Sequence, residues 1–210
     1  MGNFFTQVII LTPVILLALT VHEYAHGWVA YKFGDPTAKL AGRLTLNPLK
    51  HIDPLGLVML YVIRIGWAKP VPVNPNYLRR REDIVFVALA GPVSNFLLAI
   101  GSAVLMKFIP SGFFPAAFAG SLRSLLYTMV FINLLLAFFN LLPIPPLDGW
   151  RIVTGFARPS YTLYNIERMG PIFILILILL PRLVGIDPLS IYLKGMLSFS
   201  SKILFGLFGV

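Results

Sequence analysis

Residues 4–33 read FFTQVIILTPVILLALTVHEYAHGWVAYKF, an apolar run long enough for a helix to cross a bilayer, with His22, Glu23 and His26 in its second half. Ionisable side chains inside a spanning helix are costly and persist where something compensates them. Residues four apart on an α-helix are rotated by about 40° and separated by about 6 Å, so His22 and His26 aim their imidazoles at one point. Glu23 lies about 100° round from His22, within reach of a water held at that point. HExxH on a helix is thus two imidazoles of a zinc site with a general base beside them. The plain alternative is that the three side chains pair with one another or with backbone. Three such groups within five residues, however, need a compensating interaction as large as a divalent cation supplies.

The wider composition agrees with lipid as the solvent. The chain has 210 residues, of which 58% are hydrophobic and 12% charged, and its mean hydropathy is +0.85. Those values lie outside the usage of soluble domains and predict an all-α polytopic membrane protein, with residues 1–210 forming one membrane-embedded domain. The absence of cysteine leaves imidazole and carboxylate as the metal ligands. A net charge of +9 could suggest nucleic acid, but the basic residues are not set among stacking aromatics as such a surface needs. Nine Lys/Arg lie between residues 31 and 83 against four acids, which places that segment in the cytoplasm. Counting from Lys32, the metal point lies roughly 9 to 15 Å inside the cytoplasmic boundary. The expected setting is a multi-pass protein of a prokaryotic plasma membrane, with the lipid bilayer as partner, no nucleic acid, and an active site nearer the cytoplasmic side.

Four spanning helices are expected, over 4–33, 84–109, 122–142 and 166–184. Pro143, Pro145 and Pro146 close the third. The tail 188–210 is an apolar helix interrupted by Lys194, Gly195 and Lys202, and it reads as interfacial or shallow. Between the first and second spans lies the cytoplasmic or re-entrant region 35–83. It holds six prolines within 35–76, and its apolar run 57–65 is too short to cross as a helix. Alternation over 39–46 and β-favouring residues around Val62 predict a re-entrant β-hairpin or loop.

A catalytic zinc takes three protein ligands and keeps one position open, so a third ligand must come from elsewhere. His51, Asp53 and Asp148 are candidates. Asp148 is preferred, because the prolines before it break the helix at membrane depth and can turn a carboxylate back toward the first span. Its alternative role is a turn or helix cap.

HEYAH in the first span, together with Asn140-x-x-Pro143-x-Pro145-x-Leu147-Asp148-Gly149, resembles the site-2 proteases, which are intramembrane zinc metalloproteases. Gly91-Pro-Val-Ser-Asn95 looks like the GPxxN signature of the same family, so the resemblance runs in order over about residues 11–151. It implies one Zn²⁺ held by His22, His26 and Asp148. Glu23 would be the general base and then the proton donor to the leaving amine. Asn140 would serve catalysis and Asn95 substrate binding, whereas interhelical hydrogen bonding is the alternative for Asn95. The family's re-entrant hairpin agrees with the reading of 35–76, and the stretch 110–121 leaves room for only a short loop where larger relatives carry a PDZ domain.

The implied substrate is a membrane protein whose transmembrane segment unwinds before cleavage and adds to a strand edge within 35–76. The competing readings are a membrane metal transporter or a non-catalytic metal-binding membrane protein. A transporter needs further ligands along a path, and no second span carries histidine.

Overall fold

A computed structural model describes residues 4–62, 66–109, 115–158 and 160–209. The segment that opened the sequence analysis is a single helix, α1 (Phe4–Lys32), with Pro13 inside it and Lys32 in its last turn. It stops at Gly34, whose φ of +108° favours glycine and where a Cβ would sit 3.0 Å from the Tyr77 carbonyl oxygen.

The region that follows corrects the β-hairpin expectation. Its described residues form two short helices, α2 (Thr37–Leu40) and α3 (Pro54–Val62), and two 3₁₀ turns. The β contact found among them is one antiparallel bridge, Ile52 to Ala68. Local chemistry explains the difference. Asp53 accepts hydrogen bonds from the backbone N–H groups of Leu55 and Gly56, and Pro54 is fixed at a helical φ, so the apolar run starts as a helix despite its β-branched residues. The Gly56 and Leu55 N–H groups also hold the Asp53 carboxyl below the usual carboxylate range. Pro70, Pro72 and Pro75 lack the donors a strand ladder requires.

The segment 68–74 is instead held extended by side chains. Arg43 Nη2 donates to the Lys69 carbonyl at 2.6 Å, and the Asn74 N–H donates to Asp35 Oδ2 at 2.7 Å. Asp35 and Arg43 are both buried.

The helices α4 (Asp83–Lys107) and α5 (Ala116–Asn140) fall on the expected second and third spans, α5 beginning six residues earlier than predicted. After α5 come α6 (Asp148–Gly155), α7 (Tyr161–Arg168), α8 (Gly170–Val184) and α9 (Pro188–Phe208). Among the described residues α4, α5 and α9 are long and apolar enough to cross a membrane, and a fourth is reached if α7 and α8, bent by 51°, count as one span. The tail read as a shallow surface helix is therefore of spanning length. Asp187 accepts from the Ser190 N–H and Pro188 begins the helix, so its interior glycine and lysines do not break it.

α4 is the centre of the bundle and packs against α1, α5, α6 and α9. Ala99 and Ala103 of α4 meet Val130 and Leu134 of α5, with Phe205 and Phe208 of α9 closing over them. The small residues allow the backbones to approach, as helices in lipid require. Ala18 and Ala30 are likewise fully buried, on α1.

Candidate metal centre

Three elements deliver one cluster. α1 carries His22 and His26 one turn apart, and the Pro143–Pro146 turn brings Asp148 in at the first position of α6. The His22 and His26 Nε2 atoms are 3.0 Å apart, and each lies 3.2 Å from Asp148 Oδ2. All three residues are buried. Tetrahedral ligands at about 2.0–2.1 Å from zinc are separated by roughly 3.3 Å, so this triangle has the size of one tetrahedral face.

The hydrogen bonds behind the rings fix what the triangle contains. His26 Nδ1 donates to the Val87 carbonyl at 2.7 Å. His22 Nδ1 donates to Asn95 Oδ1 at 2.6 Å. Asn95 in turn donates through Nδ2 to Asn133 Oδ1 at 2.8 Å, and Asn133 Nδ2 donates to the Met129 carbonyl, which can only accept. That last carbonyl sets both amide orientations and, through them, the His22 tautomer. Both Nε2 atoms therefore present lone pairs toward a carboxylate oxygen that has no hydrogen-bond donor. Three mutually repelling acceptors in a buried site call for a cation, and the donor set fits zinc.

Glycines allow this approach. A Cβ on Gly91 would lie 2.4 Å from His26 Nε2 and 2.5 Å from a His22 ring carbon, and one on Gly149 would lie 2.3 Å from the Leu141 carbonyl oxygen. The glycines of the GPVSN and LDG stretches are thus where α4 passes the histidines and where α6 starts against the end of α5.

The other sequence-predicted residues fall as follows. Glu23 Oε2 accepts from the Val71 N–H at 2.7 Å, which ties its carboxylate to the extended segment 68–74. Asn95 is fully buried behind His22. Asn140 donates to the Leu136 carbonyl of its own helix at 3.0 Å. His51 and Asp53 stand outside the cluster: His51 Nε2 donates to the Thr45 carbonyl and Asp53 caps α3. Among the described residues His22, His26 and Asp148 are the one group of His, Cys, Asp or Glu arranged to hold a metal.

Sequence reasoning missed Asn133 and Val71, and it picked out Gly91 by its motif without its contact with the two histidines. Asn133 carried a signal, a polar residue in an apolar span two turns before Asn140, whereas Val71 acts through its backbone and carried none.

Fold and site together define a polytopic membrane protein with a buried group of two histidines and one carboxylate that could hold a metal ion, and a glutamate one residue along from the first histidine. Residues 109–180 match the model for Peptidase family M50. The chain is 44% identical over 172 residues to "Putative zinc metalloprotease YwhC" of Bacillus subtilis, covering 80% of this chain and 78% of that one. It is 31% identical over 176 residues to "Putative zinc metalloprotease Rip2" of Mycolicibacterium smegmatis, with 80% and 66% covered. "Zinc metalloprotease MJ0392" of Methanocaldococcus jannaschii is 27% identical over 152 residues, with 72% and 35% covered. No solved structure matches the chain. The chain belongs to peptidase family M50, the site-2 proteases, and is an intramembrane zinc metalloprotease.

Proposed function

We propose that His22, His26 and Asp148 hold a single Zn²⁺ and that Glu23 is the general base of peptide hydrolysis in or beside a transmembrane segment of another membrane protein. The observation that carries this reading is the convergence of three lone-pair donors at 3.0–3.2 Å in a buried site. Zinc bound there supplies Lewis acidity, lowering the pKa of water to about 7. Glu23 takes the proton from the attacking water and returns it to the leaving amine nitrogen. Val71, by donating its N–H to Oε2, fixes the direction in which that carboxylate faces. Val87 and the Asn133–Asn95 pair hold the two imidazoles in the tautomer that leaves Nε2 to the metal. This assigns Asn95 to positioning His22, since its amide is already committed on both sides. Asn140 lies at the end of α5 beside the Pro143–Pro146 turn, and we assign it to substrate contact after rotation away from the Leu136 carbonyl.

The same reading makes α1 a span and the bent α7–α8 pair another, alongside α4, α5 and α9. The basic region after α1 supports a site near the cytoplasmic face, and the bacterial and archaeal relatives favour a prokaryotic plasma membrane. Purified wild type, Glu23→Gln and Asp148→Ala, assayed for zinc content and for cleavage of a model membrane substrate, test the roles. The expected outcome is zinc without turnover in Glu23→Gln and loss of zinc in Asp148→Ala. Turnover by Glu23→Gln would refute the base assignment.

A further inference from the structure

The Glu23 carboxylate takes its direction from a peptide group. Its Oε2 accepts from the Val71 N–H at 2.7 Å, and Oε1 has no hydrogen-bond partner among the described residues. The peptide unit that carries this N–H joins Pro70 to Val71. At its other end, the Pro70 carbonyl receives Nη2 of Arg43 at 3.4 Å, and the same nitrogen donates to the preceding carbonyl, that of Lys69, at 2.6 Å. One amide thus stands between a guanidinium and a carboxylate.

Little else fixes the plane of that amide. Pro70 and Pro72, on either side of Val71, have no N–H to donate. The other backbone donors that tie the segment are the Lys69 N–H, bonded to the His51 carbonyl at 2.9 Å, and the Asn74 N–H, bonded to Asp35 at 2.7 Å. They lie two residues before Val71 and three after it. Gly27 sets how close the segment comes to α1, because a Cβ there would lie 3.1 Å from Val71 Cγ1. This packing holds the Val71 side chain and leaves rotation of the peptide to its two polar ends.

Arg43 is an unusual residue to spend on tethering a loop. It is buried, it makes no ion pair among the described residues, and its Nε has no hydrogen-bond partner. Burying an unpaired guanidinium is costly, and an apolar side chain of similar volume is often as stable or more so in such a place. Holding the chain does not require a charge. The charge adds alignment: a carbonyl oxygen is the negative end of the peptide dipole and the N–H its positive end, so a cation at one and a carboxylate at the other favour the same orientation of the amide.

We infer that Arg43 is a positioning residue for the general base: through the Pro70–Val71 peptide it holds Oε2 of Glu23 in place and leaves Oε1 to the attacking water. This rests on the proteolytic reading of the metal centre and extends the control of Glu23 from a backbone N–H to a side chain.

The test is a mutant cycle in protein reconstituted with a model membrane substrate. Arg43→Met is expected to keep its zinc, its Tm and its KM and to lose about tenfold or more in kcat. Arg43→Lys is expected to restore most of that loss, because both carbonyls draw on a single nitrogen, whose place an Nζ can take. In a Val71→Pro background, where the linking N–H is gone, Arg43→Met is expected to cost less than about twofold more. An unchanged kcat in Arg43→Met, a loss confined to KM, no recovery in Arg43→Lys, or losses that multiply in the double variant overturn the proposal. Arg43→Leu carries the same expectations where Arg43→Met fails to hold zinc, and loss of zinc in both makes Arg43 part of the fold and overturns the assignment. Failure of the proteolytic reading shows separately, as zinc-loaded wild type that leaves every substrate uncut.

Discussion

At the scale of single residues, the centre depends on two features that carry no charge. Gly91 has no room for a methyl group, since a Cβ would lie within 2.6 Å of both His22 and His26 Nε2. Gly91→Ala is expected to abolish zinc binding at micromolar metal, measured by competition with a chromophoric chelator, and wild-type affinity in that variant would refute the packing argument. Asn133 acts at one remove, through Asn95, on the tautomer of His22. Asn133→Leu is expected to weaken zinc binding about 10–100-fold. Asn133→Asp, whose neutral acid both accepts from Asn95 and donates to the Met129 carbonyl, is expected to restore most of it. His22, Glu23 and His26 could be singled out in the sequence because the cost of burying them in lipid demands a reason, and Asp148 because the prolines before it can turn a carboxylate back toward the first span. Asn133 was less legible, because a lone amide in a span is usually satisfied by a neighbouring helix, and only the partners seen in three dimensions connect it to a ligand.

At the scale of elements, helix existence followed from apolar length, and the ends of α1, α4 and α5 lie close to where charge and proline placed them. The region between α1 and α4 was misread because alternation and β-branching are weak beside a cap. Asp53 with Pro54 starts a helix, and three prolines prevent 70–75 from pairing as a strand. Asp53→Ala is expected to lower the Tm through the lost cap, with zinc content intact. The extended segment bears directly on the chemistry through one backbone N–H. Val71→Pro removes that donor while keeping the chain extended, and cleavage is expected to fall about tenfold or more, the equivalent of a charge-assisted hydrogen bond of about 1.5–3 kcal/mol, with zinc retained. An unchanged kcat would separate Val71 from the orientation of Glu23.

At the scale of the whole molecule, the proposed metal centre joins α1, α4 and α6, because the three residues proposed as ligands come from α1 and α6 and the carbonyl and amide that orient the two imidazoles come from α4. A ligand bound only by the folded state at 100 times its Kd stabilises it by about 2.7 kcal/mol. Chelation should therefore lower the Tm of wild type by roughly 5–10 °C and leave that of Asp148→Ala unchanged. The most direct test of the centre itself is X-ray absorption at the zinc edge of the purified protein. The chain has three histidines and no cysteine, and His51 is engaged elsewhere, so the account predicts one zinc with two imidazoles among light-atom ligands at about 2.0–2.1 Å, losing that signature in Asp148→Ala. A third imidazole, or the same spectrum with Asp148 removed, would contradict it.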